Sequence, residues 1–348
     1  MKVFPHQFIE RHSGKVHTER LPADHMVNFL YSLARENAPV LFRALISARA
    51  SQFLASVQFD LGVSWRVRSL LQEWRIDPRE LRDDLNSLDS PRKIFERKIR
   101  YEQYRPMPDD EHAVVSPADS RVALGSLRET SNLYLKEKFF NLEELLGLDK
   151  PDWIKAFQYG DFAIFRLTPD KYHYNHTPVS GLVKDFYEIP GTYHSCNPSA
   201  VITVVTPYSK NRRVVTIFDT DVPGGTGCGL VAMIEVVALM IGDVVQAYSE
   251  VGYENPQPIK IGMFLKKGCP KSLYRPGSST DVLLFQQNRI RFAEDLVKNA
   301  SRTDVKSRFS HGFGKPVIET DLRARSLVGS AVREPLNAAN SCPELSRE

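Results

Sequence analysis

The chain of 348 residues carries 46 lysines and arginines against 42 aspartates and glutamates, a net charge of +4. With 42% hydrophobic and 25% charged residues it has an ordinary globular composition that can bury a sizeable core. So small a basic excess argues against a nucleic-acid partner while suiting an anionic membrane surface, and the cysteines, Cys196, Cys228, Cys269 and Cys342, have no C-x-x-C spacing that would suggest a zinc site or a disulfide framework.

Met1 to Arg20 alternates charged and apolar residues and lacks the unbroken apolar core of a secretory signal. No stretch reaches the roughly 18 uncharged apolar residues of a spanning helix. Membrane contact is therefore expected to be peripheral, in a reduced, cytoplasmic setting. From Asp24 to about Phe59 the apolar residues Met26, Phe29, Leu30 and Leu33, then Leu41, Phe42, Leu45, Ile46, Phe53, Leu54 and Val57, fall at helical spacing. They predict two helices joined near Pro39, a residue that suits a first helical turn. Arg35, Arg43 and Arg49 punctuate the polar side. Such a pair either faces a core or lies in a bilayer interface with arginines toward headgroups. Trp74 to Lys98 is charged and reads as a further helical or loop segment.

From about Tyr101 the pattern changes to short β-branched and aromatic runs between Gly, Pro and Asn. Ala113–Val115, Phe162–Leu167, Ala200–Val205, Val214–Phe218, Leu230–Met240 and Val282–Phe285 are the predicted strands. Glu235 inside the fifth run argues for a sheet strand rather than a membrane segment. Gly224-Gly225-Thr226-Gly227 has no lysine at P-loop spacing and reads as a hairpin turn. The fold class is α+β: an N-terminal helical, membrane-associating region over 1–100, a mainly β domain over 101–332, and a polar tail over 333–348 expected to be disordered. There are no internal repeats.

Three clusters in the β region carry candidate chemistry. Ser116-Pro117-Ala118-Asp119 is a turn presenting a carboxylate, Tyr172-His173-Tyr174-Asn175-His176 places two histidines three apart, and Gly277-Ser278-Ser279-Thr280 sets two hydroxyls at a turn entering a strand. Singly, Asp119 reads as a turn capper and each histidine as a satisfied interfacial residue. Without further ligands the histidines suggest no metal.

In this order the clusters resemble the phosphatidylserine decarboxylase family of pyruvoyl enzymes, over about Phe95 to Gly329. Val115 to Val122 is similar to the family's S-P-A-D-G-x-V segment, and Phe165 to Pro169 with Tyr172-His173 and His176 to Val179 to its R-L-x-P-x-D-Y-H-R-x-H-x-P-V segment. Asn211 to Val215 resembles its N-E-R-V-V segment, and Gly277 to Thr280 its G-G-S-T or L-G-S-T cleavage motif. The resemblance implies a proenzyme that cuts itself between Ser278 and Ser279. Ser279 would be the nucleophile and the precursor of a covalent pyruvoyl group, His176 its base and Asp119 the orienting carboxylate. The pyruvoyl ketone would form a Schiff base with the substrate amine and accept the electrons left by CO2, with His173 delivering the proton or placing the carboxylate. The implied substrate is phosphatidylserine, the product phosphatidylethanolamine, and the implied location the cytoplasmic face of a membrane, peripherally bound, with a homodimer left open. Three positions depart from the pattern: Ser278 for glycine, which also offers a rival nucleophile, Ser120 for the glycine after the carboxylate, and Lys171 for the aspartate before Tyr-His. The alternatives are a soluble decarboxylase of a free amino acid such as tryptophan, a Ser-His-Asp hydrolase that never cuts itself, and a non-catalytic membrane-binding relative.

Overall fold

The computed structural model describes residues 4–21, 24–31, 37–47, 50, 59, 64–128, 139–204, 206–239, 243–277 and 279–332. In chain order the strands are β1 (Gln7–Glu10), β2 (Val16–Thr18), β3 (Ala113–Val115), β4 (Ser120–Ser126), β5 (Asp161–Leu167), β6 (Tyr174–His176), β7 (Gly181–Ile189) and β8 (Arg213–Asp219). They continue as β9 (Leu230–Val237), β10 (Val244–Gln246), β11 (Phe264–Leu265), β12 (Pro270–Tyr274), β13 (Ser279–Phe285), β14 (Ile290–Phe292), β15 (Glu319–Leu322) and β16 (Leu327–Ala331). A ten-stranded sheet of order β11-β7-β8-β9-β13-β5-β4-β15-β1-β2 is joined by two three-stranded sheets, β10-β12-β6 and β14-β16-β3. The fold is α+β with a mainly β core.

Strand β13 pairs antiparallel with β5 on one side and β9 on the other along all of Ser279 to Phe285. Alternate side chains leave opposite faces of a strand. Val282 and Leu284 enter one apolar cluster with Ile164, Ile234, Val215, Phe140 and Phe157. Leu283 and Phe285 enter another with Phe165, Met233, Phe218, Tyr248 and Val328. Both faces are covered, which is why Val282 to Phe285 reads as an unbroken apolar run rather than an alternating one. Each such fully buried side chain stabilises the fold by about 1.5–3 kcal/mol relative to exposure.

The N-terminal segment differs from the helical reading in one respect: β1 pairs parallel with β15, and β2 closes the sheet edge. Buried charges fasten it there. Arg166 of β5 donates to Glu19 (Nη2 to Oε2, 2.7 Å) and to Glu319 (Nε to Oε1, 2.9 Å), and His6 Nε2 lies 2.7 Å from Glu319. Both expected helices form, over Asp24–Phe29 and Pro39–Leu45, the latter with proline in its first turn. Part of their apolar side is covered: Val27, Tyr31, Phe42 and Ile46 pack on Ala200 and Val204, and the Phe42 ring meets Tyr31 edge-on. Val40 is exposed, at 80%. Arg35, Arg49, Phe53, Leu54, Val57 and the 333–348 tail lie outside the described residues.

The expected strand Ala200–Val205 is instead a helix, Pro198–Thr203. Asn197 caps it by accepting from Ser199 N, and Pro198 occupies its first turn, so local capping overrides the β-branched composition. The Leu230–Met240 run forms a strand that ends at Val237, and the glycine-rich 224–227 segment lies in the connection between β8 and β9.

Candidate active site

Ser279 opens β13, directly after a turn at Pro276-Gly277 in which Gly277 has φ = 145°, a conformation that favours glycine. Its side chain is fully buried, and its Oγ makes no hydrogen bond among the described residues. Its cross-strand neighbours Leu167 and Val237 share an apolar cluster with Ala118 and Tyr274. The Ser116-Pro117-Ala118-Asp119 turn therefore lies against the start of β13. That turn also reaches the histidine segment, because the Pro117 carbonyl accepts from His176 N at 2.7 Å. Three segments far apart in sequence thus meet at one end of the central strand. Ser278 lies outside the described residues.

The side chains of Asp119, His176 and Ser279 are all buried, and no hydrogen bond joins any two of them among the described residues. Asp119 is gripped by Arg105, which donates Nε and Nη2 to its two oxygens at 2.8 Å each, and by Ala324 N at 2.8 Å. Burial would raise this carboxyl. The Arg105 guanidinium outweighs burial and holds it well below the usual carboxylate range.

His176 takes its orientation from elsewhere. Its Nδ1 lies 2.8 Å from the Gly268 carbonyl and its Nε2 3.0 Å from the Tyr172 hydroxyl. A carbonyl only accepts, so Nδ1 carries the proton and Nε2 presents its lone pair to the Tyr172 O–H. Burial depresses the ring's pKa to about 3. His176 is therefore a neutral imidazole whose Nε2 lone pair, held by the Tyr172 O–H, is a proton acceptor. Tyr172 is linked in turn to Tyr253 at 2.7 Å.

His173 is fully buried and stacked on Phe95, ring centroids 3.6 Å apart; the Lys171 backbone lies close to its ring, and neither nitrogen makes a well-formed hydrogen bond among the described residues. Burial, helped by the nearby Arg97 charge, moves its pKa well below 6.5. Arg97 is itself buried and donates to two carbonyls, Ile94 O (3.0 Å) and Asp170 O (2.9 Å). Burial lowers its pKa to about 10, and no carboxylate pairs with it among the described residues. Arg97, Arg105 and Asp119 line a cavity of about 1070 Å³ that also receives Arg75, Lys171 and Arg323. Lys171 is neutralised there by Asp321 at 2.6 Å, so this departure from the family pattern has a local partner. Ser120, another departure, is buried and donates to the Ala118 carbonyl at 3.2 Å.

A second polar group lies beneath β13. Glu235 of β9 accepts from Lys271 Nζ (2.7 Å), Gln246 Nε2 (2.9 Å), Asn175 Nδ2 (3.1 Å) and the Ser272 hydroxyl, and both Glu235 and Lys271 are fully buried. Asn175 and His176 are consecutive on β6, so Asn175 faces this group while His176 faces Tyr172. Sequence reading singled out Asp119, His173, His176 and Ser279 and placed Tyr172 in the histidine cluster without a role, but missed Arg97, Arg105, the Gly268 carbonyl and Lys271. Only Glu235, a charge within an apolar run, gave a sequence signal for the second group.

Residues 92–311 match the family model described as phosphatidylserine decarboxylase. The chain is 27% identical over 308 residues to a phosphatidylserine decarboxylase proenzyme of Fusobacterium nucleatum, covering 88% of this chain and 95% of that one. It is 28% identical over 312 residues to that of Chlamydia trachomatis, covering 88% and 96%. Proenzyme 2 of rice is 31% identical over 233 residues, 66% of this chain and 34% of the rice protein.

Proposed function

From a chain that belongs to the phosphatidylserine decarboxylase family, we propose an enzyme that cuts itself before Ser279 and then removes CO2 from phosphatidylserine to give phosphatidylethanolamine. The observation that carries the reading is Ser279 itself: a buried hydroxyl with no hydrogen-bond partner among the described residues, at the first residue of the central strand, beside the turn that holds the histidine segment. A serine so placed fits the formation of a pyruvoyl group at residue 279. That group supplies an electron-withdrawing carbonyl to take up the electrons left when a carboxylate departs as CO2.

The chain's own residues have separable tasks. His176 offers the Nε2 lone pair that takes the Ser279 Oγ proton, released from Tyr172 for that step, and the Gly268 carbonyl fixes its tautomer. Asp119, ionised through Arg105, supplies negative charge near both histidines rather than a direct hydrogen bond. His173, neutral in an apolar slot against Phe95, positions the substrate carboxylate or hands on a proton through its N–H. The cavity beside Asp119 is lined by cationic side chains, Arg75, Arg97 and Arg323 among them, and by acidic ones such as Asp77, Glu80 and Asp170, a mixture that suits a headgroup carrying both an ammonium and anionic groups. No helix among the described residues is long and apolar enough to cross a membrane. Peripheral attachment to an anionic surface on the cytoplasmic side completes the proposal.

Intact-mass measurement of the purified protein tests it. Two fragments split before residue 279, the smaller beginning with a pyruvoyl terminus, are expected, and a single chain that stays whole on prolonged incubation refutes the reading. Ser279→Ala and His176→Ala should stay uncut. His173→Ala should cut itself yet decarboxylate poorly. Turnover of free tryptophan in lipid-free buffer, with none of phosphatidylserine in vesicles, would replace the lipid substrate by an amino acid.

A further inference from the structure

Asp281 lies two residues beyond Ser279 on β13, so the two side chains leave the same face of the strand, with Cα atoms about 6.6 Å apart. It is fully buried. Its direct cross-strand partner on β9 is Glu235, another fully buried carboxyl, and on β5 it faces Phe165. The two acids are treated unequally. Glu235 has donors on both oxygens, Lys271 among them, whereas among the described residues Asp281 receives one hydrogen bond, from the Tyr274 hydroxyl to Oδ1 at 2.7 Å, and its Oδ2 has no partner.

Two carboxylates side by side in a low dielectric do not both ionise, and the one with the cation keeps its charge. Burial opposes ionisation of Glu235, but Lys271 outweighs it and holds this carboxyl below its ordinary range. Burial, then the Glu235 charge, moves Asp281 well above its own. The titratable groups facing Asp281 are Glu235 on β9 and Lys271 and Tyr274 on β12. Asp281 is thus a carboxylic acid at neutral pH with an uncommitted oxygen on the face that carries the Ser279 hydroxyl, itself uncommitted.

We propose that Asp281 is the acid of self-cleavage, protonating the Ser279 nitrogen as it leaves the carbonyl of residue 278. The inference rests on the cut before Ser279 proposed above. In this step a bond forms between Ser279 Oγ and the carbonyl carbon of residue 278, and the bond from that carbon to the Ser279 nitrogen breaks. The Oγ proton goes to the base, His176, and the nitrogen gains its proton from Asp281, which recovers one from solvent as His176 gives its own up. An amide becomes an ester and an amine, with nothing oxidised or reduced. The base and the acid stand in separate polar groups, one on each side of β6.

Full-length chain made by cell-free translation, followed by gel and intact mass from pH 5.5 to 9, tests the assignment. Asp281→Asn retains the acceptor for Tyr274 and is expected to slow cleavage about 100-fold or more, in the range of a lost general acid. It should also abolish the loss of rate that the unaltered chain shows at high pH as Asp281 ionises. Neutral hydroxylamine, which cuts esters, should leave the Asp281→Asn chain whole. Cleavage of Asp281→Asn at the unaltered rate and pH profile overturns the proposal, and so does its scission by hydroxylamine, because the ester would then form without the acid. If Asp281→Asn does not fold, Tyr274→Phe decides: loss of the hydroxyl that favours the ionised form should move the high-pH limb upward, and an unmoved limb overturns the proposal. An unaltered chain that never cuts itself removes the underlying function instead.

Discussion

Lys271→Met isolates the buried ion pair. Lys271 Nζ is 2.7 Å from Glu235 Oε2 and 2.8 Å from Gln246 Oε1, with neither charged group exposed. At an effective dielectric constant near 20 the Coulomb attraction across such a gap is about 6 kcal/mol. Removing the ammonium leaves Glu235 with the Asn175, Ser272 and Gln246 donors but no cation, beside Asp281. Protonation of Glu235 limits the damage, at about 1.4 kcal/mol for each unit by which ambient pH exceeds its reference pKa. The expected loss of stability is about 3–5 kcal/mol, the usual cost of stripping one partner from a buried pair. Urea unfolding of uncut chain carrying Ser279→Ala, followed by tryptophan fluorescence, measures it, and a Glu235→Met/Lys271→Met double variant should recover most of the loss. A loss below about 1 kcal/mol from Lys271→Met, with no coupling to Glu235, would show that the pair is hydrated and that the reasoning about Asp281 lacks its electrostatic basis.

Three further outcomes follow from the same structure. His176 and His173 are held neutral by burial, so an unfolded chain takes up protons near pH 6.5 that the folded chain refuses; stability is complete above that pH and falls below it by about 1.4 kcal/mol per unit for each ring. A urea midpoint that does not change between pH 7.5 and 5 would contradict this burial. Gly277→Ala places a Cβ at φ = 145°, should cost about 1–3 kcal/mol and should slow self-cleavage, while Pro276→Ala should do so much less; equal rates for both would remove the turn from the mechanism. Val40→Glu, at an exposed helix position, is expected to weaken binding to anionic vesicles without unfolding the chain, whereas Phe42→Glu should unfold the pair of helices because Phe42 packs on Tyr31 and His194. Unchanged vesicle binding by Val40→Glu would exclude this face from membrane contact.

Local pattern made the central strands legible. Val282 to Phe285 and Val214 to Phe218 are short, apolar and bounded by turn residues, and both lie within strands that run one to three residues further. Ala200 to Val205 was misleading because β-branched composition says nothing of the Asn197-Pro198 start, which makes a helix of it. The N-terminal strands β1 and β2 were not legible: the seating of β1 beside β15 depends on Glu319 and on Arg166, more than a hundred residues away, and no local pattern encodes it. At the site, spacing within motifs indicated Asp119, His173, His176 and Ser279. It could not indicate that the orienting group for His176 is a backbone carbonyl, since any residue supplies one. Nor could it reveal the Glu235–Asp281 opposition, which exists only once β9 and β13 are in register.

The seating of β13 between β5 and β9, with hydrogen-bonded neighbours on both sides, has a consequence for the two pieces a cut before Ser279 would make. The small piece would hold β13 to β16 and the large one everything else, yet β15 lies between β4 and β1, and β16 between β14 and β3. The fragments would be interlaced at several places in the sheets, so departure of either requires unravelling the core. They should copurify in equal amounts and resist dilution. After denaturation the reassembly would be a reaction between two molecules, dependent on concentration, whereas the uncut chain refolds alone. Scission therefore turns a fold that can be regained by one chain into one that is made once and afterwards preserved by its barrier to unfolding.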